Sequence, residues 1–144
     1  MTTTGILGIT LPDDTDLVKD GASAMRTIGN GLDDGLAKLT LNAQTATYTV
    51  VLTDNRNKLV TMNVATANDF QIPTNANVAF PVGSVINVIQ IGAGQTTIKA
   101  VTSGTTTIHS TGATSTAPVL RAQYSAASCI KVATDTWYVV GDIA

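Results

Sequence analysis

A mainly β protein with a helical stem at its N-terminal end is what this sequence predicts, from three observations. Residues 14–40 carry an apolar repeat of seven, the spacing of a packed helix. Residues 41–144 break into short Thr- and Val-rich runs, separated by turn signals at intervals of about 8–12 residues. Charged residues make up only 12% of the chain, about half the usual share. The 144 residues have room for one domain plus an appendage. They divide into an extended arm (1–13), an amphipathic helical stem (14–40) and an antiparallel β-sandwich or barrel (41–144).

The arm runs through Gly5-Ile-Leu-Gly-Ile-Thr-Leu-Pro12. It lacks the basic start of a signal peptide and is expected to dock on a neighbouring chain. Pro12 disfavours helix at Leu11, and Asp13 and Asp14 are N-cap candidates. Asp16 and Asp20 suit the positive end of the helix dipole. In the stem Val18, Met25, Leu32 and Leu39 recur every seven residues, with Ala22, Gly29 and Leu36 between them. This seam of seven is the predicted oligomer interface. Gly21, Gly29, Gly31 and Gly35 each cost about 1 kcal/mol against Ala in a helix interior, so packing partners must compensate. The partner is either a symmetry mate, approaching closely at Ala22 and Gly29, or the chain's own β domain.

The strands are expected at 45–53, 58–65, 69–72, 78–80, 84–91, 96–101, 105–111, 119–126, 127–134 and 137–143. Residues 85–91 and 137–140 are apolar on both faces, which predicts cover on both sides, the second cover being another subunit. Charge is divided unevenly. Residues 1–40 hold six Asp against three cations, residues 41–144 hold four Asp against five, and there is no Glu. So few charges leave Thr, Ser, Asn and Gln to solvate the β domain, or leave it to bury surface against its own copies. No basic patch is available for nucleic acid. No apolar run is long enough to cross a bilayer, so no membrane insertion is expected.

Chemistry-bearing motifs are few, and no catalytic, metal or cofactor site is predicted. His109 is the single histidine, between Ile108 and Ser110. Cys129 is alone, and its apolar strand makes it a buried small hydrophobe. Gly92-Ala-Gly-Gln-Thr-Thr97 lacks the Gly-Lys-Ser/Thr ending of a phosphate loop and reads as a hairpin turn. A hydrolase would need paired carboxylates, and the β domain offers only Asp54, Asp69, Asp135 and Asp142. Of the scattered aromatic residues, Tyr124, Trp137 and Tyr138 are the candidate receptor contacts of a glycan-binding head.

The segment 11–33, Leu-Pro-Asp-Asp-Thr-Asp-Leu-Val-Lys-Asp-Gly-Ala-Ser-Ala-Met-Arg-Thr-Ile-Gly-Asn-Gly-Leu-Asp, resembles an N-terminal motif common in tail-associated proteins of phages that infect actinobacteria. Lys58-Leu-Val-Thr-Met-Asn, Phe80-Pro-Val-Gly-Ser-Val-Ile, Ile91-Gly-Ala-Gly-Gln-Thr-Thr-Ile and the run from Leu120 to Trp137 are similar to a β module of phage minor tail and fibre proteins. The resemblance implies a non-enzymatic virion structural protein, a homotrimer assembled in the host cytoplasm and anchored through its arm and helix. It implies a tail-associated place beside other virion proteins, with a host-surface glycan as a further partner. Tail fibres of this type are usually longer, so a capsid decoration protein or short head fibre on the major capsid protein is the alternative.

Overall fold

In the computed structural model of the chain, residues 2–3, 10–11, 18–111 and 116–144 are described. Strands account for 41% of the chain and helices for 17%, so the protein is mainly β. It divides into two compact units, Met1–Leu39 and Thr40–Ala144.

In the first unit β1 (Thr2–Thr3) pairs antiparallel with β2 (Thr10–Leu11). The rest of the arm, with Pro12 and the capping candidates Asp13, Asp14 and Asp16, lies outside the described residues. Helix α1 spans Val18–Ala37 without a break at Asn30-Gly31. Asp20 sits in its first turn, where the helix dipole favours an anion.

The second unit begins with β3 (Thr40–Gln44) and β4 (Tyr48–Thr49), followed by a 3-10 turn at Leu52–Asn55. Then come β5 (Lys58–Met62), β6 (Asn68–Ile72), β7 (Val85–Gln90) and β8 (Thr96–Ala100). The last three strands are β9 (Thr107–Ser110), β10 (Ala126–Ala133) and β11 (Thr136–Gly141). One sheet has the order β3-β5-β7-β10-β11-β9, and the other the order β4-β6-β8. Core side chains from both sheets form one cluster. Val60, Met62, Ile86, Val88, Cys129 and Val139 come from the larger sheet, and Phe70, Ile72 and Ile98 from the smaller. Phe80 meets Trp137 edge-on, with ring centroids 5.5 Å apart.

The two sheets share one core, and the expected antiparallel pairing is corrected for most strands. From β3 to β8 the chain alternates between the two sheets, so each strand's successor in its own sheet runs parallel to it. Parallel neighbours need a long crossover, and here each crossover is itself a strand of the opposite sheet. The result is three stacked turns of a short β-solenoid. Only after β8 does the chain reverse: β10 pairs antiparallel with β7 and with β11, and β9 joins β11 in parallel. Three expected strands fall away. Residues 78–80 form no strand, 119–126 keep only bridges at Val119 and Leu120, and 45–53 shrink to two strand residues and the 3-10 turn.

The second and third turns keep one 28-residue offset in both sheets, Leu59 to Asn87 and Asn68 to Thr96. The same offset sets Gly92 on Val64 and Gly94 on Thr66. The Gly92-Gly94 segment is therefore no hairpin. It is a corner between sheets, and its amides donate to the corner beneath, Gly92 N to Met62 O and Gly94 N to Val64 O, both at 2.9 Å. A Cβ on Gly94 would stand 1.9 Å from the Thr66 carbonyl oxygen, and one on Gly92 2.3 Å from the Val64 backbone. Beside the corner a buried amide ladder forms. Thr96 Oγ1 donates to Asn68 Oδ1, and the Thr96 amide donates to Gln90 Oε1. Asn68 Nδ2 donates to Gly94 O, and Gln90 Nε2 to Gly92 O.

Replacing Gly94 by Val is expected to lower the unfolding free energy by at least 3 kcal/mol, through backbone displacement and loss of the ladder. Urea unfolding followed by Trp137 fluorescence measures it. In contrast, Gly31→Ala in α1 meets nothing within 4 Å, and is expected to raise helix stability by about 1 kcal/mol.

Candidate functional site

Alternation along the strands sends every second side chain of the larger sheet outward, and register lines those residues into rows. One row reads Leu41, Leu59, Asn87, Ser128, Val140. The next reads Ala43, Thr61, Ile89, Ala126, and a third Val85, Ile130, Tyr138, His109. None of these side chains is Asp, Lys or Arg. Leu41, Val85, Tyr138 and Val140 are among the exposed large hydrophobic residues. Six strands at about 4.8 Å spacing make this uncharged face roughly 24 Å wide. His109 and Tyr138 lie ring to ring at 5.2 Å upon it. The sequence located the two-faced apolar character of β7 and β11. It did not place their outward residues in one surface.

The predicted helical seam is also open within the chain. Met25 is 70% exposed and Leu36 82%, and Leu32 and Leu39 are exposed as well. Ala22 and Gly29 are exposed between them, and Val18 opens the helix. Among the described side chains of α1, Ala24 is the buried one, off that seam. None of the four helical glycines meets a described neighbour where its Cβ would be.

The three candidate receptor contacts are not brought together. Trp137 is 1% exposed and belongs to the core, which removes it from any receptor contact. Tyr124 is exposed in the turn ahead of β10, with a left-handed φ of 73°. Tyr138 is exposed on β11, beside the edge strand β9, opposite Ile130.

All four carboxylates of the β unit are engaged by the fold. Asp54 is fully buried and accepts from the Tyr48 hydroxyl (2.8 Å), the Val51 amide (2.8 Å) and Asn42 Nδ2 (2.9 Å), with Lys58 Nζ at 3.9 Å. Asp69 pairs with Lys99 at 2.7 Å, and Asp142 with Arg121 at 2.6 Å. The Ser125 hydroxyl and Arg121 hold the Asp142 carboxyl below its ordinary value. Asp135 Oδ1 accepts from the Asn75 amide at 2.5 Å. Burial pushes the Cys129 thiol up to about 12. Among the described residues no three His, Cys, Asp or Glu side chains gather as a metal site. An open hollow of about 430 Å³ beside β8 and β9 is lined by Lys99, Ser103, Thr106, Ile108 and Thr116, without a carboxylate, thiol or imidazole. No helix is long and apolar enough to cross a membrane among the described residues.

No protein-family model matches the chain, and neither a curated protein nor a solved structure is found to be similar to it.

Because Asp54 accepts from three donors of the first turn, Asp54→Ala is expected to cost about 3 kcal/mol by stranding them. Chemical denaturation checks this. Burial, and then the hydrogen bond to Asp54, raise the Tyr48 hydroxyl from 10.0 to about 12. A raised folded value means that this contribution is complete below pH 10 and disappears as pH rises toward 12. Tyr48→Phe is expected to flatten that alkaline loss in denaturation midpoints taken across the range.

Proposed function

We propose that this chain is a non-enzymatic structural protein that assembles with its own copies. In this reading it is a trimeric, fibre-type surface component of a tailed-phage virion. The arm and helix anchor it, and the most fitting place is the tail. The observation that supports self-association is the uncharged outer face of the six-stranded sheet. A surface of this width without a charge gains little from water, and it suits a partner surface equally free of charge. A second copy supplies such a surface. The open helical seam supports the same reading, since its small residues allow close approach of like helices. The phage assignment rests on the sequence resemblance of residues 11–33 and of the β segments.

The test is the molar mass in solution, by light scattering, of the wild type and of two variants. A trimer is expected for the wild type. Val140→Asp and Leu32→Asp each place a charge in one of the two surfaces, and each is expected to weaken association at least 100-fold, equivalent to about 3 kcal/mol. A monomeric wild type would overturn the reading, as would two variants that assemble unchanged. Immunogold labelling of intact particles then separates tail from head. Gold at the tail supports the fibre role, and gold spread over the head makes the protein a capsid decoration component.

A further inference from the structure

Lys131 is the one lysine of the β unit taken into the interior: its residue surface is 2% exposed. It lies on β10 directly across from Trp137, on the core side of the sheet. Its amine donates to two acceptors, the Asn75 side-chain carbonyl and the Phe80 backbone carbonyl. Two acceptors match the two hydrogens of a neutral amine and leave its lone pair. Burial lowers the Lys131 amine from its ordinary value, which favours that neutral form. Phe80 and Trp137, packed edge-on, wall the site. Asp135, at the turn between β10 and β11, acts on Lys131 through its charge without an ion-pair contact. Asp135 also holds the Asn75 backbone amide at 2.5 Å and accepts from Thr106 Oγ1 at 3.4 Å. A desolvated amine is thus hydrogen-bonded to a primary amide, with a carboxylate fixed to the same asparagine. Neither the sandwich core nor the outer face needs a lysine here, and a buried amine without a close carboxylate is costly.

We propose that Lys131 and Asn75 join in an intramolecular isopeptide bond. The lone pair of Lys131 Nζ adds to Asn75 Cγ, one bond from the oxygen that Nζ already contacts. The Cγ–Nδ2 bond then breaks. Nζ gives up one proton, which passes within the adduct to the departing nitrogen, so that ammonia leaves. One amide replaces another, and no oxidant or reductant is consumed. The product ties the loop after β6 to β10, across 56 residues of chain. This modification is independent of whether the protein assembles with its own copies.

The experiment is the intact mass of the purified full chain, followed by tryptic mapping. The expected mass is below the sequence mass by one ammonia, about 17 Da. The joined lysine no longer admits trypsin, so the digest is expected to hold residues 59–99 linked to residues 122–144. Asn75→Ala and Lys131→Ala are expected to carry the full mass. A wild-type chain at full mass overturns the proposal. So does a missing ammonia that maps to Asn30-Gly31, where an Asn-Gly pair can lose the same mass by closing a succinimide. Both readouts come from the wild type, so a variant that fails to fold leaves the answer intact.

Discussion

The contact on which the β unit depends is the backbone-to-backbone stacking of two corners, Gly92 on Val64 and Gly94 on Thr66. A chain that winds between two sheets must bring successive corners as close as successive strands. Side chains there would force the turns apart and break the pairing in both sheets together. Glycine at two positions removes that obstacle. The buried ladder of Asn68, Gln90 and Thr96 then satisfies the polar groups that the tight corner shuts away from water. With the corners matched, Val60, Met62, Ile86 and Val88 face Phe70, Ile72 and Ile98 in one core.

Much of the element order was legible in the sequence, because it rests on local signals. Alternation and turn residues located β6 to β8, β10 and β11 to within a residue or two, and β5 to within three. The direction of pairing was not legible. An outward Leu59 has the same pattern whether its neighbour runs parallel or antiparallel, and the deciding fact is the distant match of Leu59 with Asn87. Gly92-Ala-Gly looked like a hairpin because close approach and a tight turn call for the same residue. The early strand β3 was hidden by the adjoining helical repeat, which runs on through Leu39.

The candidate surfaces were legible in part. The helical seam followed from its spacing, and its exposure within the chain leaves it open to a partner. The outer sheet face was visible only as unusual apolar content in β7 and β11. Its extent depends on six strands in register, including β3 and β9 at the edges. Trp137 misled because a lone tryptophan on a terminal strand suits a binding surface and a core equally. Burial against Phe80 decides for the core. Most of the few charges of the β unit are taken inside the fold, at Asp54, or paired, in Asp54–Lys58, Asp69–Lys99 and Arg121–Asp142. Scarcity of charge is thus as much a property of the architecture as of the surface.

The constant offset between the second and third turns makes this domain extensible in whole steps. A duplicated 28-residue segment that carries Gly92 and Gly94 would keep the strand register and a glycine corner at its new joint. It would add one strand to each sheet and about 4.8 Å of height. The reversed strands at one end and the Asp54 cluster at the other would be untouched. Such a fold behaves as a telescoping measure, in which reach is inherited separately from what sits at either tip.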